Sequence, residues 1–355
     1  MKIGLIPENA LERIALLTGQ VPTPIAHTLG GIVLARTVMA ATKLGVFEAL
    51  RAKAHTAAEV AAACGVDPFA TGKLLDALVS SGYLASRGAR YRLTSISRKW
   101  VLKDSPRSLH DAILYESLEW EWLTHLDEFV RSGKPLDFHA TMTAGEWALY
   151  QRGMRAIAGI GADEVARHVP VPRGARTMLD IGGSHGYYSV AICRRHRGLR
   201  ATVLDLPQAI EHAAPLLARE RMGDRVVHRA GDALMDDLGT EVFDLVFIAQ
   251  LVHHFDDATN RELARRAARA LRPGGRLVIL EAIRRQFPKE GGQVAGLLDL
   301  YFAFTSHAGT WSFAEMASWQ RDAGLIPGEP IRFLRLPGYG AQAAVKPKSL
   351  GGTDK

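Results

Sequence analysis

The first third of the chain is patterned for helices. Residues 30–50 (GGIVLARTVMAATKLGVFEAL) mix apolar and small side chains with few breaks and predict one long helix. A second helix opens at His55-Thr56-Ala57-Ala58-Glu59-Val60, where Thr56 and Glu59 stand at capping-box spacing, and Gly65 stops it. A third is predicted over residues 68–81 (PFATGKLLDALVSS), followed by two short strands at Gly82-Tyr83-Leu84 and Tyr91-Arg92-Leu93. Helix, helix, helix and hairpin in this order predict a winged helix. From Trp100 to Phe138 further helix is expected, dense in Trp120, Trp122, Leu123, Leu126 and Phe129, and Trp147 and Met154 extend that character. Apolar side chains around so wide an arc imply burial on more than one side, the second being offered to another subunit.

Pro170, Pro172 and Gly174 then mark a boundary, after which strands and helices alternate. Strands are predicted at Thr177–Ile181, Ala201–Asp205, Arg225–His228, Phe243–Ala249 and residues 276–282. Tyr187–His196 and residues 258–271 are the intervening helices, Pro273-Gly274-Gly275 is a turn, and Ile331–Leu336 with Ala341–Val345 is a terminal hairpin. This rhythm predicts an α/β fold, a Rossmann-like, doubly wound and mainly parallel sheet with ligands at the strand C-termini. The expected organisation is a helical winged-helix domain over residues 1–150 and a sheet domain over 151–348.

Composition narrows the class. Of 355 residues, 47% are hydrophobic and 23% charged, enough for two ordinary cores. Two cysteines, Cys64 and Cys193, are too few for a disulfide scaffold and suit a reducing compartment. Pro7, Glu8, Asn9, Glu12 and Arg13 interrupt what a signal peptide would need. No apolar run is read as reaching the roughly 20 residues of a membrane span. The expected setting is therefore cytoplasmic, with no membrane partner. The net charge of +7 raises nucleic acid as a partner, but Arg261, Arg265, Arg269 and Arg272 share one helical face, as a solvated face would. In the third helix Lys73 is the one basic residue and Asp76 would repel phosphate, which argues against a DNA-binding regulator.

Candidate chemistry gathers at the strand ends. Asp180-Ile181-Gly182-Gly183-Ser184-His185-Gly186 joins a strand to a helix, and its glycines admit a ligand close to the backbone. Dinucleotide enzymes place a glycine loop at the same corner, but Asp180 would repel their pyrophosphate. It favours instead the ammonium and sulfonium of S-adenosyl-L-methionine. Asp205, with Leu206 after it, ends the next strand, where ribose hydroxyls can be held. Asp232, with Ala233 after it, follows the third strand, where an adenine amino group can be read.

These motifs resemble those of the dimeric small-molecule O-methyltransferases of plants and bacteria, the caffeate and acetylserotonin type. The likeness is carried by LDIGGSHG at 179–186, VLDLP at 203–207, GD at 231–232, LVHHFDD at 251–257 and LRPGGRLVILEA at 271–282, and spans almost the whole chain. It implies a class I methyltransferase with S-adenosyl-L-methionine as cofactor, a small-molecule acceptor, and a homodimer formed through the N-terminal domain.

In-line methyl transfer needs mainly alignment and a nucleophile in the right protonation state. His253, just beyond the fourth strand, is placed to be a general base for a hydroxyl acceptor. The resemblance implies the same role, with Glu281 orienting the imidazole. His254 replaces an acid common in the family, and Gly309 or Thr310 stands where plant members carry a further acid. A metal held by His253, His254 and His307, assisting methylation of carbon beside a keto acid's carbonyl, is the alternative; sulfur and nitrogen acceptors also stay open. Met154, His254, Phe302, His307 and Trp311 are the expected pocket wall, with Phe304, Trp120 and Trp122 beside them, suiting a flat apolar acceptor.

Overall fold

A computed structural model describes residues 3–284, 288–306 and 308–348, with the side chains of 288–291 also outside the description. The chain forms two compact units, one up to Trp120 and one from Glu121. Residue 150, the expected domain limit, lies inside helix Ala144–His168.

In the N-terminal unit the helix expected over residues 30–50 is two helices, Gly31–Lys43 and Val46–Ala49, because Gly45 adopts a left-handed φ of 78° between them. Helix Ala57–Cys64 carries the capping box as read, Glu59 N–H donating to Thr56 Oγ1 (3.2 Å) and Thr56 N–H to Glu59 Oε2 (2.6 Å). Helix Pro68–Ser80 follows, capped by Asp67. The hairpin of β2 (Leu84–Arg87) and β3 (Arg90–Leu93) gains an unexpected short strand, β1 (His55–Thr56), in the order β1-β3-β2. Leu75 and Leu78 turn inward to Phe47, Leu50, Val60 and Leu93, so this helix packs through its apolar face. Its Asp76 accepts the Tyr91 hydroxyl at 2.8 Å.

Ahead of this core, Thr23–Ile25, a π-helical turn Ala26–Gly30 and Gly31–Lys43 run on as one helical stretch. Thr23–Lys43 spans 21 residues at a mean hydropathy of 1.3, long and apolar enough to cross a membrane, with 11% of its apolar window buried. This corrects the reading that no such run exists. Alanine, threonine and glycine dilute the contrast around Ile25, Leu29, Ile32, Val33 and Leu34, yet add no charge. Those five side chains are exposed, as are Leu11, Ile14 and Leu17 on the preceding helix Ala10–Leu17.

The helix expected from Trp100 to Phe138 is instead a series: Ser95–Trp100, His110–Leu123, Leu126–Ser132 and Phe138–Thr141. Left-handed Gly133 ends the third, and Pro135 follows it. Trp120 lies under the Arg36 guanidinium, whereas Trp122 stacks on Phe138 at 4.4 Å.

The second unit is the doubly wound sheet. Its strands are β4 (Thr177–Ile181), β5 (Arg200–Asp205), β6 (Val226–Ala230), β7 (Phe243–Ala249), β8 (Leu271–Ala282), β9 (Ile326–Pro327), β10 (Ile331–Arg332) and β11 (Tyr339–Val345). The order is β10-β11-β8-β7-β4-β5-β6, with β9 also beside β11. β4 to β8 pair parallel and the last three strands antiparallel. β8 begins at Leu271, so the predicted Pro-Gly-Gly turn lies within it. Alternation divides the strands between two cores: Leu245, Phe247, Val278 and Leu280 face one, and Val246, Ile248, Leu277 and Ile279 the other. The basic face of helix Asp257–Ala270 is neutralised within the chain, Arg261 by Asp257 and Asp322, Arg265 by Glu262, Arg269 by Asp237, while Arg272, just past its end in β8, meets Asp244.

Candidate active site

β4 delivers Asp180 to the inside of the sheet, where it is 1% exposed. Its Oδ2 accepts the Ser189 hydroxyl at 2.6 Å, while Oδ1 is buried with no hydrogen-bond partner among the described residues. Burial pushes the carboxyl up to about 7, against the Ser189 hydrogen bond, and the nearby Asp205 adds to the rise. A buried acceptor without a donor is costly, and an ammonium is the group that best relieves it.

The loop after β4 is shaped around this acid. A Cβ on Gly183 would lie 2.5 Å from the Asp180 carboxyl and 2.8 Å from Val203, and Gly182 has a φ of 68°. Ser184 is left-handed as well, with φ 50°. Three contacts hold it: its N–H donates to Asp205 Oδ2 (2.8 Å), its carbonyl accepts His228 Nε2–H (2.8 Å), and its hydroxyl donates to Gln151 Oε1. Gly186 N–H closes the turn on Gly183 O at 2.8 Å. His185 is buried, accepts Tyr187 N–H at 3.1 Å and bonds the Met154 backbone; burial, then Arg155 and His228, push it down to about 3, so it is neutral.

Asp205 ends β5 with its second oxygen on Leu206 N–H at 2.8 Å, and burial raises it to about 6. The Leu206 side chain beside it is exposed. Asp232 is half-buried, its Oδ1 on Leu234 N–H (2.8 Å), and the Ala233 carbonyl takes Arg266 Nε–H (2.8 Å). The three acids therefore stand at the ends of β4, β5 and β6. An orphan acceptor, a glycine cradle and carboxylates at two further strand ends fit S-adenosyl-L-methionine.

One and two strands over from β4, after β7 and on β8, lies a histidine–glutamate pair. His253, in the short turn Val252–His254 after β7, and Glu281, near the end of β8, are both buried, with Nδ1 to Oε2 at 3.0 Å. Glu281 Oε1 also takes Ala282 N–H at 2.8 Å. With Nδ1–H donating to the carboxylate, Nε2 carries the lone pair. The turn is anchored from behind: the Val252 carbonyl accepts Trp311 Nε1–H (2.9 Å) and Asn260 Nδ2–H (2.9 Å), and Asn260 also reaches Phe255 O (3.0 Å).

The expected wall is partly assembled. Phe302 stacks on His253 at 4.0 Å, and His254 lies between His253 (4.4 Å) and His139 (5.3 Å). Met154 is half-buried on helix Ala144–His168. Trp311 is placed differently: it sits in the core against Trp319, anchoring the His253 turn, and Phe304 is buried against Phe129. His307 lies outside the described residues. Among the described residues no cluster of three His, Cys, Asp or Glu is arranged to hold a metal. Thr310, one of the two positions expected to replace the plant-type acid, donates its N–H and hydroxyl to Asp299 Oδ1 (2.7 and 2.5 Å).

His139, Gln151 and Asn260 escaped sequence reasoning. His139 packs among Phe138, Trp147, Tyr150 and His254, where burial pushes it down to about 4, partly offset by Asp137.

Residues 111–324 match the O-methyltransferase domain family, and residues 26–103 the O-methyltransferase dimerisation domain. The chain belongs to the O-methyltransferase family. Among curated members, a 3-hydroxy-5-methyl-1-naphthoate 3-O-methyltransferase of Streptomyces sahachiroi is 27% identical over 92% of this chain and 95% of its own. The rat acetylserotonin O-methyltransferase is likewise 27% identical, over 88% of this chain and 73% of its own. The fold matches human N-acetylserotonin methyltransferase, solved with its methyl donor, at a TM-score of 0.82 and 21% identity, covering 97% of this chain and 100% of that one. This O-methyltransferase is thus an S-adenosyl-L-methionine-dependent enzyme with a dimerisation domain.

Proposed function

We propose that this O-methyltransferase methylates a hydroxyl on a flat aromatic small molecule, with His253 as general base. The observation that carries the reading is the buried His253–Glu281 pair at the ends of two adjacent parallel strands. When bound, S-adenosyl-L-methionine supplies an electrophilic methyl on a sulfonium leaving group. Asp180 meets the ammonium, the Gly182–Gly186 turn lets the backbone approach, Asp205 holds the ribose hydroxyls with Leu206 flanking, and Asp232 with Ala233 reads the adenine. His253 Nε2 takes the acceptor's proton as its oxygen attacks the methyl carbon, and Glu281 fixes the tautomer and stabilises the imidazolium. Phe302, His254, Met154 and the aromatic group Trp122, Phe138, Trp147 and Tyr150 offer a flat acceptor its walls. Relatives named for a hydroxynaphthoate and for acetylserotonin point to the same class of acceptor.

The exposed apolar helices of the N-terminal unit, within and ahead of the dimerisation match, support a homodimer through that surface. The arrangement of β1, β2, β3 and helix Pro68–Ser80 serves as a winged-helix dimerisation domain and not as a DNA reader, since Asp76 faces Tyr91 and Leu75 and Leu78 are core.

The test measures S-adenosylhomocysteine release against a panel of hydroxynaphthoates and N-acylated hydroxyindoles. His253→Ala is expected to lower turnover by about 10²–10⁴-fold with donor affinity unchanged. Full turnover by that variant on the same acceptor would remove His253 from the chemistry.

A further inference from the structure

The glycine loop is bracketed by two buried polar atoms that have no hydrogen-bond partner among the described residues. One is an acceptor, Asp180 Oδ1; the other is a donor, Gln151 Nε2. Gln151 is 1% exposed on helix Ala144–His168, and its Oε1 takes the Ser184 hydroxyl, which pins the carboxamide against the loop with its NH2 on the other side. Gly183 abuts the Asp180 carboxyl and Ser184 abuts Gln151, so orphan acceptor and orphan donor flank consecutive loop positions. Buried polar groups in native proteins are nearly always paired, to protein, water or ligand, and two orphans of opposite polarity beside one glycine loop are what a zwitterionic ligand group would complete. Arg155, one turn further along the same helix, is already committed: it pairs with Glu220 at 2.6 Å and lies over the Tyr187 ring.

The amino-acid end of S-adenosyl-L-methionine presents an ammonium and a carboxylate on one carbon, the complementary pair of polarities. We propose that Gln151 is a donor-binding residue whose Nε2–H donates to the α-carboxylate of S-adenosyl-L-methionine while Asp180 receives the α-ammonium. The assignment rests on reading the glycine loop as the methyl-donor site. It makes helix Ala144–His168 part of that site, and the Ser184 hydroxyl the group that orients the carboxamide.

Calorimetry with two ligands separates this role from a structural one. S-adenosylhomocysteine carries both charged groups of the amino acid; 5′-methylthioadenosine carries neither. Gln151→Ala is expected to weaken S-adenosylhomocysteine by about 10-fold, the scale of a hydrogen bond to a charged group, and to leave 5′-methylthioadenosine within about 2-fold. Gln151→Glu, which sets a carboxylate against a carboxylate, should weaken S-adenosylhomocysteine at least as far. Should the alanine variant fail to fold, Gln151→Asn, which shortens the reach of the amide, is held to the same ligand-selective loss. Equal weakening of both ligands, unchanged S-adenosylhomocysteine affinity, or tighter binding by Gln151→Glu overturns the proposal. Wild-type protein that binds neither ligand overturns the donor-site reading itself, a different result from any of these.

Discussion

With Asp180 as the proposed partner of the ammonium, donor binding should be a proton-linked event. Burial lifts its carboxyl from 3.8 to about 7, so at mildly acidic pH the free protein holds it protonated. A neutral carboxyl offers the ammonium no charge, and binding must release that proton. For a group titrating at about 7, this linkage raises the dissociation constant of S-adenosylhomocysteine by about 25-fold between about pH 7.5 and about pH 5.5, approaching tenfold per unit at the acid end. Calorimetry across that range measures it directly, and repeating it in buffers of different ionisation enthalpy counts the released proton. Asp180→Asn imitates the protonated form, so it should bind weakly at every pH and lose Asp180's share of the slope. Asp205, raised to about 6, adds a second and smaller dependence that Asp205→Asn isolates. Stability of the free protein should run the other way. The folded carboxyl keeps its proton up to about 7 and the unfolded one only to 3.8, so this group's contribution is intact below 3.8 and is lost as pH rises through about 7. A flat binding profile in the wild type, or an undiminished slope in Asp180→Asn, would refute the reasoning.

Light scattering should find the protein at twice the chain mass, and Ile32→Asp with Leu34→Asp should return it to one; wild type that is monomeric, or that partitions onto lipid vesicles, contradicts the homodimer reading. Asn260→Ala strips a donor from the Val252 and Phe255 carbonyls, so urea unfolding should show a loss of about 1–3 kcal/mol. The same variant should lower turnover while leaving S-adenosylhomocysteine affinity intact, because it loosens the His253 turn and not the glycine loop; unchanged stability would mean the anchor is dispensable.

Legibility in the sequence followed the range of the interaction. The placement of Asp180, Asp205 and Asp232 at strand ends is legible because each stands beside glycine or a turn, so residue type and local pattern coincide. His253 and Glu281 were legible through their motifs, each next to a recognisable strand. Gln151 was not: its place beside Ser184 depends on a helix packing across the loop, 33 positions away. Asn260 looked like any polar residue in a first helical turn, although its side chain turns back to two carbonyls of the preceding loop. Trp311 belongs to the core and not to the expected wall, because an aromatic ring looks the same in sequence whether it faces a ligand or a core. Gly45 gives no sign of a helix break in the sequence, because glycine inside an apolar run is compatible with helix until its φ is known, and the same apolar run hides an exposed surface.

The way His253 and Glu281 are held separates two kinds of evolutionary freedom. Glu281 stands on β8, between β7 and β11 and opposite Gly340, and His253 is fixed to it by a bond and to the core by Asn260 and Trp311. The aromatic wall at Trp122, Phe138, Trp147 and Tyr150 belongs to helices that contribute no strand to that sheet. Substitutions in the wall and substitutions in the His253–Glu281 pair should therefore combine with nearly additive free energies, except where His139 and His254 join the two. A lineage carrying this fold can exchange one acceptor for another by drifting through wall residues, one at a time, without passing through a catalytically dead intermediate.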